Sequence, residues 1–182
     1  MSKKIDAMTL LDPFLAEPNR TFNVREMARL TRLNPTTCSR YLTSLRKQGF
    51  LVRKKERNLI LYAADTESHA YRDFKIYRNI RRIRASGLLQ HLEDALNYPE
   101  AVILFGSYAK GENAARSDID LFILSESGKR LDLDAFERKL GASIQVFMHT
   151  RQELEILKVK NKELLNNILN GIVLLGFVEV FR

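Results

Sequence analysis

The chain has 182 residues, 45% of them hydrophobic and 29% charged, with a formal net charge of +8. That length suits one large domain or two small ones, and the composition is that of a globular protein rather than a disordered or fibrous one. No apolar run approaches the roughly 18 residues that span a bilayer, and the lone Cys38 excludes an internal disulfide framework or a cysteine zinc cage.

The opening MSKKIDAMTLLDPFLAEPNR breaks its short apolar pieces at Asp12 and Pro13, so it reads poorly as a signal peptide. A cytoplasmic protein without membrane contact is the expectation. The charge is unevenly placed: residues 1–65 carry +7, residues 66–97 carry +2 and residues 98–182 carry −1. A polyanion partner is therefore expected for the N-terminal third alone.

AMTLLDPFLAEP offers a first helix. TFNVREMARLTRLNPTTCSRYLTSLRKQGF then reads as two short helices joined by a tight turn. Val24, Met27, Ala28 and Leu30 give the earlier helix an apolar face at helical spacing. Asn34–Pro35 starts the later one, as an N-cap followed by proline at the first helical position. Tyr41, Leu42 and Leu45 face inward, Gly49 ends the helix, and Cys38 is read as a small packing residue. FLVRKKERNLILYAAD follows as a strand, a charged turn at Lys55–Asn58 and a second strand.

Three helices and a basic two-stranded ribbon over residues 5–65 resemble the winged helix-turn-helix DNA-binding domains. The likeness lies in element order and polarity. It implies double-stranded DNA as a partner, with Thr36, Thr37, Ser39, Arg40, Thr43 and Lys47 on a helix able to enter a major groove. Arg53, Lys54, Lys55 and Arg57 on the ribbon would meet phosphate. A homodimer is a further expectation, since helix-turn-helix proteins often read paired half-sites.

Residues 66–97 read as a helical connector. Tyr71, Phe74 and Tyr77 are expected to pack it, with the arginines solvated. Leu88, Leu89, Leu92 and Leu96 carry the pattern onward, and Gly87 marks a break or a close contact. His91 reads as a surface or boundary residue.

AVILF, residues 101–105, is a short apolar run of the kind found in buried strands. DIDLFIL is a second strand, with Ile119, Leu121 and Ile123 on one side and Asp118, Asp120 and Phe122 on the other. Carboxylates at i and i+2 stand about 7 Å apart at Cα, close enough to converge on Mg²⁺ or Mn²⁺, which prefer oxygen ligands. Gly106 lets a phosphate approach the backbone. Ser107 adds a hydroxyl, and a helix beginning at YAKG would aim free N–H groups at an anion. Lys110 and Arg116 offer positive charge, and Ser117 is placed to orient Asp118 or hold the turn. Together these parts suit a nucleoside triphosphate on the glycine turn, ATP being the expected donor or ligand.

Gly-Ser, ten residues and Asp-x-Asp between two apolar strands resemble the signature of the DNA polymerase beta-type nucleotidyltransferase superfamily. The fuller GSYAKGE…SDIDL is similar to its minimal prokaryotic branch, over residues 88–182. The resemblance implies an α/β core with a mixed sheet, triphosphate held at Gly106 and Ser107, and Mg²⁺ at Asp118 and Asp120. The whole chain is thus expected to be α+β, in three parts: 1–65, a connector over 66–97, and a nucleotidyltransferase-like domain over 98–182.

One departure bears on activity. The family's active members usually add a third carboxylate from a later strand, and that position here, within ASIQVFMHT, is Gln145. Its amide oxygen can ligate but cannot act as a base at neutral pH. Two functions therefore remain open. One is transfer of a nucleoside monophosphate to an unidentified hydroxyl. The other is a transcriptional regulator, of a kind related to toxin–antitoxin pairs and accompanying a partner encoded nearby, whose nucleotidyltransferase domain binds without turnover.

LDLDAFERKLG reads as an amphipathic helix with Leu133, Phe136 and Leu140 inward, which makes Asp132 and Asp134 first-turn acids rather than ligands. TRQELEILKVKNKELLNNILNG reads as one helix stopped at Gly171, before a terminal strand or two.

Overall fold

The computed structural model describes residues 7–180; the first six residues of the expected N-terminal domain and the last two of the chain lie outside them. Two compact units divide between Lys75 and Ile76.

The first unit begins with a 3₁₀ turn, Ala7–Leu11, and α1, Asp12–Ala16. It continues through β1 (Phe22–Asn23), α2 (Val24–Thr31), α3 (Pro35–Lys47), β2 (Leu51–Glu56) and β3 (Leu59–Ala64). The Asn34 side chain accepts a hydrogen bond from the Thr37 amide at 2.8 Å, so α3 starts where an orphan N–H finds a cap. Asn23 does the same for α2, accepting from Glu26 at 2.9 Å. The strands form an antiparallel sheet in the order β1-β3-β2.

Beneath them Leu10, Phe14, Met27, Leu42, Leu45 and Tyr71 are buried together. The Tyr71 hydroxyl donates to the Phe14 carbonyl at 3.0 Å. Cys38 is fully buried in the same core, and burial pushes its thiol pKa up, which fits a packing role. Two details differ from the sequence reading. Leu30 is 56% exposed, outside the packed face of α2. β1 was not foreseen, because two residues are too few for a period to show.

Helix α4, His69–Ser86, crosses the division between the units. Its buried stripe is Tyr71, Lys75, Asn79 and Ile83, in steps of four, whereas Tyr77 is 49% exposed. Of the aromatic residues expected to pack the helix, Tyr71 is buried and Phe74 packs against the same core, its ring 5.7 Å from that of Phe50. At Gly87 the backbone is left-handed (φ +86°) and an added Cβ would meet nothing within 4 Å, so the glycine serves the break between helices rather than a close contact. α5, Leu88–Leu96, follows.

The second unit then runs β4 (Ala101–Phe105), α6 (Gly106–Lys110), β5 (Ile119–Leu124) and α7 (Asp134–Leu140). β6 (Ile144–His149), α8 (Arg151–Lys160), α9 (Lys162–Leu169) and β7 (Ile172–Gly176) complete it. The sheet order is β6-β5-β4-β7. β5 and β6 are parallel and the other pairs antiparallel, a mixed sheet. The parallel pair is joined through α7, as parallel strands require a crossover.

Alternation along the strands builds two cores. Val102, Leu104, Leu121 and Ile123 pack with the four leucines of α5 and with Leu140. Ile103, Phe105, Phe122 and Leu124 pack with Leu154, Leu157, Leu165 and Ile168 of α8 and α9. Each fully buried leucine of this kind stabilises the fold by on the order of 2 kcal/mol. The single helix expected over residues 150–170 is two helices. Asn161 leaves helical dihedrals (φ −143°, ψ 72°), and its side chain accepts from the Leu164 amide, starting α9 afresh.

Candidate functional site

Gly106 ends β4 and opens α6, with φ +68°. Only glycine adopts that conformation without steric cost. A Cβ at this position would lie 2.2 Å from Oδ2 of Asp120, so the Asp120 carboxylate occupies the space a side chain would fill. Backbone turn and acid are therefore in direct apposition, although thirteen residues lie between them. The register explains how: Asp120 pairs with Phe105, the residue before Gly106, across the antiparallel β4–β5 ladder.

Gly106→Ala combines a left-handed alanine, which costs about 1–2 kcal/mol, with eviction of the Asp120 carboxylate. A lower Tm and weakened divalent-cation binding are expected, read by thermal unfolding and Mn²⁺ titration. A variant matching the wild type in both would contradict the apposition.

Asp118 stands exposed one residue before β5, and Asp120 is half-buried within it. The Asp120 pKa is raised above the ordinary carboxylate value, first by burial and then by the negative charge of Asp118. A divalent cation would relieve that second cost by neutralising both acids, and its hard-oxygen preference matches the donor set. The residues present fit such an ion.

On the other side of Asp120, the parallel β5–β6 ladder places Gln145 directly beside it. Neighbouring strands lie about 5 Å apart, and residues in register project from one face, so the exposed Gln145 shares the face of Asp120. Among the described residues, no group of three His, Cys, Asp or Glu side chains gathers to hold a metal.

The remaining sequence candidates are placed as follows. Ser107 is half-buried, and its carbonyl accepts from the amide of Glu112 at 2.9 Å. Lys110 and Arg116 are exposed. The Ser117 hydroxyl accepts from the Ala114 amide at 2.9 Å, so it holds the loop turn that delivers Asp118.

Sequence reasoning missed a polar cluster behind the loop. Asn79 and Asn113 are both buried. The Asn79 amide donates to the Tyr108 carbonyl at 2.9 Å and to Asn113 Oδ1 at 2.8 Å. Burial raises the pKa of the Tyr108 phenol, while the Arg82 charge and a hydrogen bond with Asn113 pull it down and Asp118 pushes it up. The available signal was an asparagine four residues from Ile83 on the stripe the helix buries.

In the first unit, Thr36, Ser39, Arg40, Thr43 and Lys47 line one open depression of about 710 Å³ on α3. Thr37 instead sits in the first helical turn with its amide bonded to Asn34. Arg53, Lys54, Lys55 and Arg57 are all exposed on the β2–β3 hairpin, whose turn Arg57 enters with φ 53°.

A family model described as Polymerase beta, Nucleotidyltransferase matches residues 88–176, a span that runs from α5 to the end of β7. No curated protein matches the chain.

Proposed function

From a nucleotidyltransferase domain that fills residues 88–176, we propose that this chain is a DNA-binding protein transferring a nucleoside monophosphate from a triphosphate, ATP by expectation, to a hydroxyl acceptor, with release of pyrophosphate. The observation that carries the reading is the packing of the Asp120 carboxylate against the backbone of Gly106, with Asp118 two residues away. It brings the turn suited to phosphate and the acids suited to a cation into one place.

In this reading Asp118 and Asp120 hold Mg²⁺ or Mn²⁺, and Gly106 offers backbone without a side chain in the way. Ser107 contributes a hydroxyl, and Lys110 brings positive charge from the end of α6. Once bound, the cation would supply charge stabilisation at the reacting phosphates. Gln145, neutral at every accessible pH, cannot take up the acceptor's proton. The acceptor's proton therefore leaves to solvent or to the substrate. The test is label transfer from an α-labelled triphosphate to protein, RNA or small-molecule acceptors, with product lost in an Asp118→Ala, Asp120→Ala double variant.

The first unit is read as a winged helix-turn-helix. Its support is α3, where Thr36, Arg40 and Lys47 are exposed and Ser39 and Thr43 half-buried, together with four exposed cations on the hairpin and a +7 charge over residues 1–65. α3 would meet base edges in a major groove and the hairpin would meet phosphate. Binding to double-stranded DNA should weaken steeply with salt, and removing all four hairpin cations should flatten the log–log slope by about one per lost phosphate contact. Affinity that ignores ionic strength would sink this half of the proposal.

Gln145 itself favours a second reading, a regulator that binds nucleotide or a partner protein encoded nearby without turnover. Triphosphate binding that shifts DNA affinity, with no labelled product, would select it.

A further inference from the structure

Asn79 contacts neither the glycine turn nor the acids, yet its amide touches the segment that carries each. Tyr108 lies two residues after Gly106 in α6, and Asn113 lies in the loop that ends at Asp118. The orientation of the amide is fixed by chemistry. A main-chain carbonyl only accepts, so the atom facing Tyr108 O at 2.9 Å is the Asn79 nitrogen. The same nitrogen has a second N–H, and it points at the Asn113 side-chain oxygen at 2.8 Å. Asn113 in turn hydrogen-bonds the Tyr108 hydroxyl, so the three buried residues are linked through the Tyr108 main chain on one side and its side chain on the other.

We propose that Asn79 is a positioning residue: its two amide N–H groups clamp α6 and the 112–117 loop to α4, fixing where the loop delivers Asp118 relative to the glycine turn. This rests on the metal and nucleotide site proposed above, and it adds a residue that site does not contain. Buried, fully paired polar groups hold one geometry because any displacement leaves a desolvated donor or acceptor behind. An apolar side chain at 79 would strand the Tyr108 carbonyl, which has no way to become a donor. The Glu112 amide on the Ser107 carbonyl and the Ser117–Ala114 turn hold the loop to itself, within residues 107–117. Neither ties it to another helix.

The test uses the full chain in five forms: wild type, Asn79→Leu, Asn113→Leu, Asn113→Asp and, as a core control, Leu92→Ala, which removes a fully buried side chain of α5. Hydrogen exchange over residues 106–120 and Mn²⁺ affinity are measured on each. Asn79→Leu and Asn113→Leu should speed exchange in that segment at least about tenfold and weaken Mn²⁺ about 10–100-fold, the range typical for lost outer partners of a metal site. Asn113→Asp keeps an acceptor for the Asn79 amide and should be better protected than Asn113→Leu, short of the wild type because burial disfavours the new charge.

Leu92→Ala should lower Tm without singling out that segment. Asn113→Asp loosening the loop as much as Asn113→Leu would overturn the clamp, as would an exchange pattern in Asn79→Leu that matches Leu92→Ala. If Asn79→Leu does not fold, Asn79→Ser retains one donor and should give partial protection; full wild-type protection there would count against the clamp. A wild type that holds no Mn²⁺ would remove the metal reading alone, since exchange still decides whether Asn79 fixes the loop.

Discussion

Asp120→Asn should make the cation-free protein more stable while nearly abolishing divalent binding. The two effects share one cause. The folded state holds the Asp120 proton more tightly than the unfolded chain does, because burial and the Asp118 charge both disfavour the carboxylate. Between the ordinary carboxylate pKa and the raised one, the folded state binds more protons, so stability falls as pH rises through that window. At neutral pH the cost is present in full, and a neutral isostere removes it. Tm should rise by a few degrees at pH 7 and by nothing at a pH below both values.

Mn²⁺ affinity should drop by roughly a hundredfold or more, because losing a ligand costs at least as much as losing a ligand's partner. In the wild type, cation binding should fade on acidification with a midpoint above that of an ordinary aspartate. Unchanged Tm together with unchanged cation affinity would show that Asp120 bears no such load.

Gln145→Asp should act in the opposite sense. The substitution places a third carboxylate beside Asp120, at a register position the parallel ladder already fixes. Cation affinity should rise and cation-free Tm should fall, since three acids now share one end of the sheet. If proton removal limits transfer, the new base should raise the rate by about 10²–10⁴-fold, the usual contribution of a positioned general base. Tighter cation binding with no faster transfer would show that another step is slow, and would make Gln145 a residue of binding rather than of restraint.

Some of this was legible in the sequence because the signals were local. Asn34–Pro35 starts α3 through a side-chain cap, and the alternation of Ile119, Leu121 and Ile123 against Asp120 and Phe122 sorts the two cores. The glycine turn and the Asp-x-Asp pair declared themselves by residue type and spacing, and Gln145 could be assigned to its strand from the apolar residues on either side.

What escaped depends on contacts distant in sequence. β1 exists because β3 offers it a ladder, with Phe22 opposite Tyr62. The apolar character of Tyr77 and Leu30 predicted burial, but the neighbours that would cover them are set by tertiary packing. Asn161 looked like an ordinary polar residue on a helix until its cap showed two helices. Asn79 was hidden for a similar reason: it sits among arginines, and its two acceptors lie 29 and 34 residues further on.

The central claim is that Asp118, Asp120 and the Gly106 turn form one site for a cation-bridged triphosphate. It is tested most directly by titrating ATP into the full chain, with and without Mn²⁺, for the wild type and for Asp118→Asn, Asp120→Asn. Binding that requires Mn²⁺ and disappears in the double variant is the predicted result. ATP binding that is independent of the cation, or untouched by loss of both acids, would contradict it.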